Sequence, residues 1–261
     1  MAANGEFTGR RAVVMGGSRG IGRAIALAFA QAGAAVSICA RGPGPLEETR
    51  AELAALGGTA HAAPCDLANP EAIARFVPSA AMALGGIDIL VNNAGTSRRA
   101  PFAAITDADW QADLDLKLFA AIRLTRLAWP GMVARRFGRV VNVLNTGAKA
   151  PPAGGAPTAV SRAAGLALMK VLAGEGAPLG INVNALLVGK IDSDQWVRRH
   201  AADPQGQSYE EWMRDAGRAI PMGRMGRAEE FAAMALALVS GAGDYVTGTA
   251  INVDGGLSPV P

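Results

Sequence analysis

GGSRGIG, residues 16–22, running into RAIALAFAQAG, residues 23–33, is the stretch that decides the fold. The β-like run RAVVM precedes it and a long apolar-rich run follows, so the glycines fall at the turn from a strand into a helix. Gly16, Gly20 and Gly22 let the backbone turn tightly and approach a pyrophosphate, while the helix behind them offers unpaired N–H groups and the positive end of its dipole. A glycine triplet alone is weak evidence in a chain with 33 glycines; its position between strand and helix gives it weight.

Working outward, β-like runs recur with helical stretches between them: RAVVMGG, AVSICA, HAAPCDL, IDILVNNAG, GRVVNVLN, INVNALLVG and TAINVDGG. This alternation predicts an α/β fold, a single doubly wound Rossmann domain over residues 1–261, with a seven-stranded parallel sheet and helices on both faces. Residues 192–222, polar but holding Trp196, Tyr209 and Trp212, break the rhythm and read as a lid or substrate loop. The two tryptophans cover a substrate or anchor the lid.

The composition agrees with a soluble globular protein: half the residues are apolar, and no unbroken run approaches the roughly 18 apolar residues of a membrane helix. MAANGEF at the start has neither the basic nor the apolar part of a secretory signal. Two cysteines, Cys39 and Cys65, both in apolar stretches, suit small core residues in a reducing cytoplasm rather than a disulfide framework. The net charge of +3 is scattered, which argues against nucleic acid as a partner. His61 and His200 have no companion at metal-ligand spacing, so no metal is expected.

The second strand ends SICAR, and Arg41 stands where an NAD site would carry an acid for the ribose hydroxyls. With Arg19 inside the glycine loop, two guanidiniums and no acid suit a 2′-phosphate, so NADP(H) is expected in preference to NAD(H). The alternative for Arg41 is a solvated strand-end residue.

GGSRGIG at the start, CDL at 65–67, NNAG at 92–95 and DGG at 254–256 together resemble the short-chain dehydrogenase/reductase family over nearly the whole chain. The resemblance implies cofactor contacts from Gly16, Ser18, Arg19, Gly20, Ile21, Gly22, Arg41, Asp66 at the adenine, Leu67, Asn92, Ala94, Gly95 and Ser193. It also implies a homotetramer or homodimer. Met15 replaces the Thr usual before the first glycine, and should loosen a loop-to-loop hydrogen bond.

The family's chemistry uses a Tyr that exchanges the proton, a Lys four positions on, a Ser thirteen before the Tyr, and an Asn on the preceding helix. Aligned on that pattern, TAVSRAAG puts Thr158 in the Tyr position and Arg162 in the Lys position, and counting back gives Asn145 for the Ser. LDLKLFAAIRLTR puts Lys117 in the Asn position. All four differ, and Tyr209 and Tyr245, the only tyrosines, have no Lys four residues on. This describes an atypical member lacking the family's Asn-Ser-Tyr-Lys set.

The helix carrying Thr158 reads as a Pro, a capping Thr and small apolar residues. An aliphatic hydroxyl is too weak an acid to replace a phenol, so Lys117 is the candidate for the proton. It lies beside the apolar line Trp110, Leu114, Leu118 and Ala121, which would turn it inward; the alternative is a lysine snorkelling to water. Beside Arg162, a desolvated Lys117 would have a depressed pKa and act as base or nucleophile, or both cations would clamp an anion. Asn145 orients a carbonyl or caps a loop. Lys149 and Lys190 in pocket-rim loops would complete a basic mouth suited to a small carboxylate or acyl-thioester substrate.

Three functions remain: an NADP(H)-dependent oxidoreductase, a silent nucleotide-binding subunit paired with an active relative, and a non-redox lyase, dehydratase or isomerase using Lys117.

Overall fold

The computed structural model describes residues 5–93, 95–202 and 206–261. Its seven-stranded sheet has the order β3-β2-β1-β4-β5-β6-β7, every pair parallel. The strands are β1 (Arg11–Met15), β2 (Ala35–Ala40), β3 (Ala60–Pro64), β4 (Ile89–Asn92), β5 (Gly138–Asn145), β6 (Ile181–Val188) and β7 (Ala250–Val253). The helices are α1 (Gly20–Gln31), α2 (Pro43–Ala55), α3 (Pro70–Leu84), α4 (Asp107–Leu114), α5 (Ala120–Arg135), α6 (Thr158–Gly176), α7 (Asp194–Ala202), α8 (Tyr209–Arg218) and α9 (Ala228–Val239). The expected strands and their parallel arrangement are all present.

Alternate strand residues feed two apolar cores. Val14, Val36, Ile38 and Val91 pack with Phe29 of α1 and Phe231 of α9 on one face. Val13, Met15, Cys39 and Leu90 pack with Phe76 of α3, Leu124 and Met132 of α5 and Met169 of α6 on the other. Burial on both faces is why these strands read as continuous apolar runs. Both cysteines are buried and free.

Strand order reverses between β1 and β4, so the crevice beyond their C-terminal ends is the expected ligand position of an open α/β sheet. Gly16, directly after β1, and Asn93, directly after β4, meet there: Asn93 Nδ2 donates to the Met15 carbonyl at 3.2 Å. That amide ties the two loops together despite the apolar Met15, whose side chain is buried in the core.

Within 192–222, read from the sequence as a lid or substrate loop, the described residues include the helices α7 and α8. Ser208 and Glu211 form a capping box that starts α8. Trp196 and Trp212 pack on each other at 5.8 Å, with His200 against Trp212 at the same distance, so the tryptophans join the two helices. Among the described residues no helix is long and apolar enough to cross a membrane, and no cluster of three or more His, Cys, Asp or Glu could hold a metal.

Candidate active site

The glycine loop is shaped for an anionic ligand. Gly16 and Gly20 have φ of +64° and +52°, which suit glycine, and a Cβ on Gly22 would collide with the Gly16 carbonyl. α1 begins with no side-chain cap and no acid in its first turn, so its leading N–H groups and positive dipole end are not satisfied by the protein's own carboxylates. Arg19 and Arg41 are exposed on either side, and the end of β2 carries no acid. Asp66 is exposed beyond β3, its Oδ1 accepting from Ala68 N at 3.1 Å. Ser193, ahead of α7, lies against the same loop: a Cβ on Gly20 would sit 3.5 Å from Ser193 Cβ. These residues fit a phosphorylated dinucleotide.

At several of the expected contact residues the structure shows partners within the protein. The Asn92 side chain turns into the protein, where Nδ2 donates to Asn142 Oδ1 at 2.9 Å and Thr125 Oγ1 at 3.3 Å, so the side chain ties β4 to β5 and α5. The Leu67 side chain is buried in the core, and Ile21 packs against the other face. Ser18 offers its carbonyl to Thr49 Oγ1 at 3.1 Å. Ala94 lies outside the described residues.

Beside the crevice the structure brings Lys117, Thr158 and Arg162 together, and adds Asp113. Between α4 and α5 the chain makes a π-helical turn, Asp115–Phe119, that faces Lys117 inward. The lysine is 5% exposed and the apolar line beside it only half-buried, so the snorkelling alternative is excluded. Lys117 Nζ forms a short ion pair with Asp113 and donates to Thr158 Oγ1 at 2.7 Å. Asp113 is itself buried, and its Oδ2 accepts from Ser161 Oγ at 2.6 Å. Asp113 carries no motif in the sequence, because its role depends on the π-turn. Only its i, i+4 spacing from Lys117 hinted at the pair.

Burial is the largest influence on the Lys117 amine and pulls it below the ordinary lysine range; Asp113 opposes this, while Arg162 and Arg98 add to it. Desolvation beside a second cation, the cause expected from the sequence, acts in this direction, and the Asp113 carboxylate counteracts it. Arg162 donates Nη1 to the Val143 carbonyl at 3.0 Å, and burial pushes its guanidinium down to about 10. A Cβ on Gly95, φ +144°, would collide with Arg162 Nη2 and lie 3.3 Å from Lys117 Cε. The exposed Gly95 backbone therefore stands directly over both cations.

Thr158 does not cap α6. It is the first helical residue, and its hydroxyl accepts from Arg98 N at 3.0 Å and donates to the Arg98 carbonyl at 2.7 Å. Asn145, at the end of β5, caps nothing, and its Oδ1 is buried without a hydrogen-bond partner among the described residues. Lys149 and Lys190 do not form the basic mouth. Lys149 donates to the Ala250 and Pro261 carbonyls, each at 2.7 Å, and Lys190 to the Ala216 carbonyl at 3.2 Å. Tyr209 Oη donates to Asp192 at 2.6 Å, and Tyr245 is fully exposed ahead of β7, at the opposite end of the sheet from the crevice.

With a glycine loop at the β1–β4 crevice and a polar cluster on α4–α6 beside it, the chain belongs to the short-chain dehydrogenase/reductase family of oxidoreductases. Residues 16–258 match the family described as enoyl-(acyl carrier protein) reductase. A rhamnolipid-biosynthesis 3-oxoacyl-(acyl-carrier-protein) reductase of Pseudomonas aeruginosa is 37% identical, with 97% of each chain covered. L-sorbose reductase of Gluconobacter frateurii, solved with NADPH and L-sorbose, superposes with a TM-score of 0.94 at 32% identity, covering 99% of this chain and 100% of that one. A short-chain oxidoreductase of P. aeruginosa PAO1, NADPH-bound and described as containing an atypical catalytic center, superposes with a TM-score of 0.91 at 36% identity, covering 98% and 99%.

Proposed function

We propose that the protein is an NADP(H)-dependent oxidoreductase acting on the carbonyl or alcohol of a small substrate with an anionic or acyl-thioester group, and that Lys117 handles the proton. The observation that carries this reading is the buried Asp113–Lys117–Thr158 chain set beneath Gly95, beside a glycine loop built for a dinucleotide. In this reading Lys117, Asn145, Thr158 and Arg162 stand in the positions of the family's Asn, Ser, Tyr and Lys as an atypical set. The relative with an atypical catalytic center supports that assignment.

The nicotinamide, when bound, supplies or accepts the hydride. The first turn of α1 and the glycine loop, Gly16 to Gly22, hold the pyrophosphate. Arg19 and Arg41 take the 2′-phosphate and favour NADP(H) over NAD(H), Asp66 meets the adenine, and the Gly95 backbone and Ser193 border the nicotinamide end. Lys117 holds a proton at Nζ and, in the reductive direction, releases it toward the substrate oxygen. Asp113 orients the ammonium and keeps it charged. Arg162 stabilises negative charge developing at that oxygen, and the Asn145 amide orients the carbonyl. Thr158 positions Lys117 and transfers no proton.

A homotetramer or homodimer belongs to this reading, supported by the exposed Leu127, Val160 and Val171 on α5 and α6. The free buried thiols suit a reducing, cytoplasmic setting.

Titration of the purified protein with NADPH and NADH, followed by nicotinamide fluorescence, tests the proposal. NADPH should bind at least about tenfold more tightly, and the preference should disappear in Arg41→Ala, as loss of a charged hydrogen bond requires. Binding of neither nucleotide would overturn it. The depressed Lys117 amine favours a second reading, a non-redox lyase, dehydratase or isomerase; activity that survives nucleotide removal and vanishes in Lys117→Met would establish that one.

A further inference from the structure

Ser161 is 1% exposed and lies one turn beyond Thr158 in α6, where packing alone is served as well by alanine, the better helix former. Its hydroxyl has a local alternative, the Thr158 carbonyl at 3.1 Å, but lies closer to Asp113 Oδ2, at 2.6 Å. That distance is typical of a hydroxyl donating to a carboxylate.

Asp113 needs such a donor. Its side chain is buried, and a desolvated carboxylate oxygen is costly to leave without a hydrogen bond. Oδ1 meets Lys117 Nζ in the short ion pair, with the Thr158 hydroxyl 3.4 Å away, while Oδ2 takes the Ser161 proton. The carboxylate is thus divided: α6 holds one oxygen, and the other is given to the π-turn.

The surroundings of Lys117 make this hold matter. Arg162 from α6 and Arg98, on the loop that rims the site ahead of α4, both bear on the ammonium as like charges, and Arg98 is paired with Asp109 of α4. Arg123 of α5 is engaged by Asp115 at 3.4 Å. Among the described residues Asp113 is the carboxylate that answers the two cations at Lys117, so whatever fixes Asp113 as an anion keeps a proton on the amine.

We infer that Ser161 is a positioning residue: its hydroxyl fixes Asp113 Oδ2, which aims Oδ1 at Lys117 Nζ and keeps the pair as carboxylate and ammonium. It acts through Asp113, without touching substrate or cofactor. The inference deepens the oxidoreductase reading, in which that ammonium is the proton donor, by naming what holds the donor charged.

The test reads Lys117 directly and uses no substrate. In protein carrying lysine labelled with ¹³C at Cε, the Lys117 resonance is identified by its loss in Lys117→Met and followed against pH by NMR. In Ser161→Ala its midpoint should move to lower pH by about half a unit or more, because the partner carboxylate has lost a charge-assisted hydrogen bond. In Asp113→Asn the midpoint should move the same way, and adding Ser161→Ala to that variant should produce no further movement. Ser161→Cys, similar in size but a weak donor, should also move the midpoint downward and carries the test if the alanine variant does not fold. A midpoint that stays in place in folded Ser161→Ala or Ser161→Cys, or that moves as far in the Asp113→Asn background as in the parent, would overturn the inference. Nucleotide binding is read separately on the parent by NADPH fluorescence. No binding there would overturn the oxidoreductase reading, while the Lys117 titration would still decide the part played by Ser161.

Discussion

Lys117 Nζ donates to Thr158 Oγ1 at 2.7 Å, and the same hydroxyl is bracketed by the N–H and carbonyl of Arg98. One side chain therefore couples the buried lysine on the π-turn to the rim loop that carries Arg98 and Arg99. Its hydrogen-bonding capacity is spent on these groups, which makes it a pin.

Thr158→Val should accordingly lose about 1–3 kcal/mol of stability in a urea melt, since three partners are left unsatisfied. It should also slow NADPH oxidation, because Lys117 loses its orientation. Thr158→Ser keeps the hydroxyl and should restore both. A valine variant as stable and active as the parent would remove the pin from the mechanism.

The Asp113–Lys117 pair makes a statement about pH. Burial holds the Lys117 amine below its ordinary value of 10.5, and Asp113 pulls it back up. If the ammonium is the donor, the reductive rate falls as pH rises through this depressed pKa. Asp113→Asn removes the raising influence, so the fall should move to lower pH. The linked stability effect has the opposite slope: between the folded pKa and 10.5 the unfolded chain binds more protons at this residue, so stability from Lys117 rises with pH there. A profile that does not move in Asp113→Asn would separate Lys117 from the proton step.

The seven parallel strands and the glycine loop were legible in the sequence because each depends on local pattern: GGSRGIG between RAVVM and an apolar-rich helix leaves few alternatives. The inward face of Lys117 was half legible. The apolar line Trp110, Leu114, Leu118 and Ala121 pointed the right way, yet that line is only half-buried, and the buried neighbours are Asp113, Ala120 and Leu124. A π-turn shifts the helical face and leaves no mark in a pattern read at 3.6 residues per turn. Lys149 and Lys190 misled because charge is visible in a sequence and a backbone carbonyl partner is not. The Asn92 amide was equally illegible: it is spent on Asn142 and Thr125, contacts made across two further elements.

Gly22→Ala tests the nucleotide loop without touching the polar cluster. The added Cβ meets the Gly16 carbonyl and the Asn93 amide, both part of the tie between the β1 and β4 loops. Backbone must shift, at a cost of about 1–3 kcal/mol, and the leading N–H groups of α1 move with it. NADPH affinity should fall by about tenfold or more while the protein remains folded by circular dichroism. Unchanged affinity would show that the loop's close packing does not serve the nucleotide.

A second buried carboxylate gives the contrasting case. Asp88, 2% exposed, precedes β4 at the end of the sheet remote from the crevice. Its Oδ2 accepts from Arg11 Nε at 2.7 Å and from the Arg11 backbone N–H at 3.2 Å, and its Oδ1 accepts from Arg11 Nη2 at 2.6 Å and Arg135 Nε at 3.1 Å. One carboxylate thus fastens β1 and the end of α5 to β4. Replacing it with an amide leaves two partly buried guanidiniums facing a neutral group, and breaking such a buried pair costs about 3 kcal/mol. Asp88→Asn should lower the unfolding free energy by that amount, seen as a lower urea midpoint at an unchanged slope, while NADPH affinity and the pH profile stay as in the parent. Asp113→Asn should displace the pH profile as well. If Asp88→Asn shifted the profile too, the two carboxylates would be acting alike through stability, and the special role of Asp113 beside Lys117 would fall.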